Sequence, residues 1–142
     1  MFLHDANSQG QGVLPVRAAA ARTKGDVVWL VSPATALDEV YTDVAVSSSA
    51  TVRRAAVWLD SCASDDVGLV CIEGPVQATV TSGTFVAFDG LETDGGNVEG
   101  SGTDAVITGA AAATDFAICL EAGTTVTTLK IYLIGFPYTS ST

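Results

Sequence analysis

Few side chains in this 142-residue sequence could do covalent or acid–base chemistry. A serine or cysteine nucleophile needs a general base beside it. The single histidine, His4, sits in the polar opening stretch HDANSQGQG, far in sequence from any cysteine, so no classical triad can be assembled. Cys62, Cys71 and Cys119 are irregularly spaced and form no C-x-x-C pair, which argues against a zinc site. Cys71 and Cys119 fall inside strand-like runs, and all three read as reduced, structural thiols. Paired carboxylates could do acid–base work, and the candidates are Asp60, Asp65, Asp66, Glu73 and Glu121. All but Glu121 lie in or beside turns, and Glu121 ends a strand just before Ala122-Gly123, so solvated turn acids are the simpler reading. Glu92, Asp94, Asn97, Glu99 and Asp104 crowd one Gly-rich segment of the kind that offers calcium its oxygen ligands. Their spacing matches neither the EF-hand loop nor the G-G-x-G-x-D repeat, which leaves a hairpin tip as the default. The glycines form neither G-x-G-x-x-G nor a P-loop between a strand and a helix. The sequence thus offers no catalytic, cofactor-binding or metal-ligating set, and the expected function is binding rather than catalysis.

The charges point the same way. Six basic residues stand against sixteen acidic ones, for a formal net charge of −10. Nucleic-acid binders need clustered Lys and Arg to displace counterions from phosphates, so DNA, RNA and anionic membranes are disfavoured as partners. The charge is also uneven: residues 1–54 are neutral, and the whole excess of acid lies in residues 55–142, where Lys130 is the one basic residue. This asymmetry reads either as acids in exposed turns or as a polarised particle with a neutral docking side. The basic residues Arg17, Arg22, Lys24, Arg53 and Arg54 are then the candidate partner-binding residues, because guanidinium and ammonium groups pair with an acidic surface; the alternative is ordinary solvated charge. Charged residues make up only 15% of the chain, against about 25% in an average soluble domain. That deficit suggests surface covered by neighbouring copies or a lattice.

The elements that must position these residues are strands. DVVWLVS (26–32), VYTDVAV (40–46) and VRRAAVWLD (52–60) are β-rich runs, and Val40, Thr42, Val44 and Val46 are expected to share one face. Val13–Val16 reads as a short edge strand containing Pro15, and RAAAARTKG (17–25) as an irregular connection or one helical turn. VGLVCIEG (67–74) is apolar on both faces and is expected to be central. PVQATV (75–80) and TFVAF (84–88) flank T-S-G as a tight hairpin, and DGLETDGGNVEGSGTD (89–104) reads as a long acidic loop. AVIT (105–108) returns to the sheet. FAICL puts Phe116, Ile118 and Leu120 on one face, and VTTLKIYLI puts Leu129, Ile131 and Leu133 together with Lys130 and Tyr132 opposite. Trp29 and Trp58 fit a core, or alternatively an interface or sugar site. The pattern predicts an all-β fold, a small β-barrel or β-sandwich of about eight to ten short, mostly antiparallel strands with little helix. Residues 1–12 read as a flexible N-terminal arm, 13–138 as a single β-domain and 139–142 as a polar tail. Neither a basic, apolar leader nor an apolar run of membrane-spanning length is evident, so the chain is expected to fold in a cytoplasm.

These segments resemble small capsid decoration (cement, head-stabilising) proteins of tailed bacteriophages. The resemblance is carried by Gly74-Pro75-Val76, by Gly83 to Asp89 (GTFVAFD), by Phe116 to Gly123 (FAICLEAG) and by Val126 to Leu133, with KGDVVWLVS matching an earlier strand of that family. It spans residues 13–135, while the 33–58 region is longer than the family pattern and the N-terminal arm has no counterpart in it. The resemblance implies a structural virion protein, made in the host cytoplasm, that binds the major capsid protein on the outside of an expanded head, as a homotrimer at local threefold axes. The other reading is a carbohydrate-binding or host-adhesion β-module, which would need exposed, coplanar aromatic rings.

Overall fold

The computed structural model describes residues 10–31, 40–45, 54–94, 97–100 and 116–134. Among them are nine strands: β1 (Gly12–Arg17), β2 (Val27–Val31), β3 (Tyr41–Ala45), β4 (Ala55–Trp58), β5 (Val67–Phe85), β6 (Gly90–Asp94), β7 (Asn97–Gly100), β8 (Ala117–Cys119) and β9 (Gly123–Leu133). The fold is all-β. β1-β3-β2-β4-β5 form a five-stranded barrel that closes through a second pairing of β1 with β5. All its pairings are antiparallel except β1 with β3, where Val16 sits beside Tyr41 in parallel register. β5-β9-β8-β6-β7 form a second antiparallel sheet. The AVIT segment (105–108) lies outside the described residues.

β5 belongs to both layers. Its first part pairs with β1 and β4, and from Gly74 onward it pairs with β9. The change of sheet falls at Gly74, which has φ +99, a region closed to most side chains. A Cβ there would collide with the carbonyl oxygen of Gly10. The sequence predicts a hairpin turning at T-S-G, but the strand runs through it. The register slips on either side of Gly83, so these residues form a bulge, not a reversal. The predicted acidic loop is likewise corrected in part: β6 and β7 pair as a hairpin, with Glu92 opposite Glu99 and Asp94 opposite Asn97.

Strand alternation sorts the apolar residues into two cores. Val16, Val28, Leu30, Ala56, Trp58 and Val70 fill the barrel. Val27, Trp29, Val57 and Cys71, on the outer side of the same strands, pack against Phe85, Leu91, Phe116, Leu129, Ile131 and Leu133 of the second layer. Trp29 meets Phe116 edge-on, with ring centroids 5.9 Å apart, and ties the layers together. Trp29 and Trp58 are therefore both core residues, 3% and 0% exposed. The β9 alternation matches expectation, with Leu129, Ile131 and Leu133 buried and Lys130 and Tyr132 exposed. In β8 Ala117 and Cys119 point inward, while of the residues expected to share the other face Phe116 is buried and Ile118 and Leu120 are half-buried.

RAAAARTKG forms an irregular arm rather than a helical turn, and it has a twin. Residues 18–26 and 58–66 cross at Arg22 and Cys62, whose backbones exchange two hydrogen bonds of 2.8 and 2.9 Å. Each arm ends in a tight turn, Thr23–Asp26 and Ala63–Asp66, closed by bonds of 3.0 and 3.1 Å. The third residue of each turn has positive φ, Gly25 at 95 and Asp65 at 71. Each turn then bonds the other arm's start: Gly25 N–H donates to Trp58 O and Trp58 N–H to Asp26 O, while Asp65 N–H donates to Ala18 O and Ala18 N–H to Asp66 O. The same shift in residue number relates every partner, so the two halves of the barrel form a pseudo-twofold pair.

Candidate functional site

The arm crossing has a polar centre. Asp43, on β3, is 1% exposed. Its Oδ2 accepts from Arg22 Nε at 2.8 Å and Trp58 Nε1 at 2.9 Å. Its Oδ1 accepts from the Ala19 backbone N–H at 2.8 Å and Arg22 Nη2 at 3.2 Å. A buried carboxylate is tolerated only when paired and hydrogen-bonded in this way. The group locks β3, one crossing arm and the barrel's central tryptophan together. It is a structural device, with its acceptor capacity used internally. Sequence reasoning passed over Asp43, because in VYTDVAV it stands on the face opposite the valines.

The four described candidate cations are spread over different settings. Arg22 is committed to Asp43, with its side chain 13% exposed. Arg17 Nη1 donates to Asp65 O at 2.9 Å on the surface. Arg54, half-buried, donates from Nη2 to Ile72 O at 3.2 Å. Arg53 lies outside the described residues. Lys24 is exposed on the Thr23–Asp26 turn. Among the described residues, Lys24 faces a cleft, whereas Arg22 turns inward to Asp43.

Asp60, Asp65, Asp66, Glu73 and Glu121 are all exposed, as the turn reading has it. Among the described residues no group of three or more His, Cys, Asp or Glu is placed to hold a metal ion. Cys71 and Cys119 are buried and Cys62 is half-buried, all as free thiols. Burial pushes the Cys119 thiol up to about 11, helped by the Asp89 carboxylate. Burial raises Cys71 as well, and desolvation with Asp66 and Asp43 raises Cys62. These thiols stay protonated at neutral pH, which makes them poor nucleophiles and poor metal ligands.

A sizeable cleft with convergent polar groups lies between the barrel and the second sheet. It has a volume of about 510 Å³, and Lys24, Leu59, Gln11, Pro75, Gln77 and Lys130 line it. A smaller cleft of about 160 Å³ continues it past Gly25 and Thr79. Gln11 donates its amide to Pro75 O at 2.9 Å and closes one end. At the other end Thr79 N–H donates to Gly25 O at 2.8 Å. Sequence reasoning missed this site because Lys24 and Lys130 lie far apart along the chain. The available signal was that they are its only two lysines.

A closed β-barrel continued by one long strand into a second sheet defines a small all-β module with a cleft at the junction. No protein-family model and no curated protein sequence matches the chain. Among solved structures, the chain is similar in fold to the head fiber gp8.5 N base of bacteriophage phi29, at a TM-score of 0.57 and 14% sequence identity. The match covers 87% of this chain and 93% of that one.

Proposed function

We propose that this protein is a non-enzymatic structural component of a phage virion that attaches to the outer surface of the head and stabilises the expanded shell. The observation that carries this reading is the shared fold with the head fiber base, because the likeness spans nearly the whole of both chains. The strand segments that resemble capsid decoration proteins, the excess of acid and the low fraction of charged residues support it. The mechanism is passive. Many copies each contribute modest buried area, and binding to the assembled shell stabilises it by mass action. The partners are the major capsid protein and other copies of this chain, as a homotrimer, and the location is the capsid exterior. For the carbohydrate-binding alternative, both tryptophans are buried and offer no stacking platform, which leaves Tyr41, Phe88 and Tyr132 as the exposed aromatic rings among the described residues.

The test is cosedimentation of the purified protein with expanded and unexpanded heads of the phage that carries its gene. Saturable binding to expanded heads is the expected result, and binding to neither form sinks the reading. Gln11 and Gly12 are held by β5, so the deletion that tests an N-terminal docking arm ends at residue 9. Unchanged attachment after that deletion removes the arm from the mechanism.

A further inference from the structure

The cleft at the junction contains an open piece of strand edge. The backbone N–H and C=O of a residue in an antiparallel strand point to the same side, and the side alternates along the chain. Thr79 donates its N–H to Gly25, and Pro75 gives its carbonyl to Gln11, so both turn their backbone groups away from β9. Gln77 lies between them in the same phase. Lys130, its partner across the ladder, agrees. The Lys130 carbonyl accepts from Leu120 N–H at 2.9 Å, and its N–H donates to Glu121 Oε1 at 2.9 Å, both on the far side of β9. The N–H and C=O of Gln77 therefore face the cleft, and among the described residues no backbone–backbone hydrogen bond outside the strand ladders uses them. Pro75 has no N–H to offer and is suited to this edge.

The charge around that edge is specific. Among the described residues, Lys24 on the barrel turn and Lys130 on β9 are the only ionisable side chains lining the cleft, in a chain of net charge −10. Glu121 is nearby but is engaged with the Lys130 backbone on the other side of the strand. Leu59 and Pro75 add an apolar wall. We propose that the cleft binds an extended, acidic peptide segment of a partner protein. The segment adds a short strand at Gln77 by exchanging two main-chain hydrogen bonds, and its carboxylates meet Lys24 and Lys130. The inference goes beyond the head-binding reading and does not rest on it.

The experiment is an NMR and calorimetric titration of the full chain with acetyl-Thr-Glu-Val-Glu-Thr-amide. The expected result is saturable binding that shifts the Gln77 amide, with a Kd between about 10 μM and 1 mM. A K24Q/K130Q double variant, changed only at exposed side chains, is expected to weaken binding at least about tenfold. Gln77→Pro removes the N–H at a position equivalent to Pro75 and is expected to do the same. So is a peptide N-methylated at its central valine. If Gln77→Pro does not fold, the lysine variant and the methylated peptide still decide. No saturable binding up to about 5 mM overturns the proposal, as does equal binding of a peptide with lysines in place of glutamates. Free glutarate binding as tightly as the peptide overturns strand addition, because it needs only the two cations.

Discussion

At the scale of single residues, the same side-chain type does opposite work according to what surrounds it. Arg22 and Arg17 look equivalent in RAAAARTKG and its neighbour, yet one holds a buried carboxylate and the other a surface carbonyl. Removing one partner of a buried pair leaves the other charge uncompensated, at a cost of about 3–5 kcal/mol. Asp43→Ala is expected to lose stability in that range, because it strands the Arg22 guanidinium, the Trp58 N–H and the Ala19 N–H together. Arg22→Met is expected to cost more than about 1 kcal/mol, and Arg17→Met less than about 0.5 kcal/mol. Urea denaturation of the three variants checks the order, and equal losses at both arginines would refute it. Cys119 provides a pH test. Its thiol is raised from 9.0 to about 11, so between those values the folded chain binds more protons than the unfolded one. Stability is then fully present below about pH 9 and falls as pH rises toward 11. Cys119→Ala is expected to flatten that decline in denaturation midpoints measured across this range, and identical slopes would show that the thiol contributes nothing. The burial of Cys71, Cys119 and both tryptophans was legible in the sequence, since each lies in a run of β-branched and apolar neighbours. Asp43 was not. Its partners come from a crossing arm and from β4, and local alternation carries no information about a long-range acceptor.

At the scale of elements, the legible part was alternation and the hidden part was reversal. β9 could be read face by face because period-2 patterning is local. The T-S-G segment was read as a turn because Ser and Gly favour one, but β9 pairs with β5 from Gly74 to Phe85 and holds it extended. The crossing arms were hidden for a different reason. Gly25 and Asp65 occupy the same backbone position with different residues, since Asp tolerates positive φ well enough for a turn. Only Asp26 with Asp66 and Val27 with Val67 keep their identity at the ends of the two arms. The glycines of β5 can be told apart by substitution. Gly74→Ala forces a Cβ into the Gly10 carbonyl at a positive φ, with an expected cost above about 2 kcal/mol. At Gly83 an added Cβ meets nothing closer than 3.7 Å, and Gly83→Ala is expected to change stability by less than about 0.5 kcal/mol. Chemical denaturation separates the two, and a tolerated Gly74→Ala would mean that the change of sheet does not depend on this glycine.

At the scale of the whole molecule, the question is whether barrel and second sheet are one folding unit or two. The barrel closes on itself and has its own interior, filled by Trp58 over the backbone of Gly68, where a Cβ would come within 2.7 Å of the indole. That arrangement alone would allow independent folding. The outer wall argues otherwise. Val27, Trp29, Val57 and Cys71 belong to barrel strands but are buried by the second layer, and β5 is covalently continuous through both. Losing the second layer would expose these side chains, and each fully buried Val- or Leu-sized group contributes about 1.5–3 kcal/mol. A barrel on its own would therefore be unstable, and the two layers are expected to unfold together. The two tryptophans are placed to test this, one inside the barrel and one between the layers. In Trp29→Phe the remaining indole reports on the barrel interior, and in Trp58→Phe it reports on the junction. Within each variant, the fluorescence midpoint and the midpoint from far-ultraviolet circular dichroism are expected to coincide, as two-state unfolding requires. A junction signal that is lost before the backbone signal would instead show a barrel that survives undocking. In that case the cleft between the layers would open and close in the native state, and the strand edge at Gln77 would be exposed by motion rather than held ready by the fold.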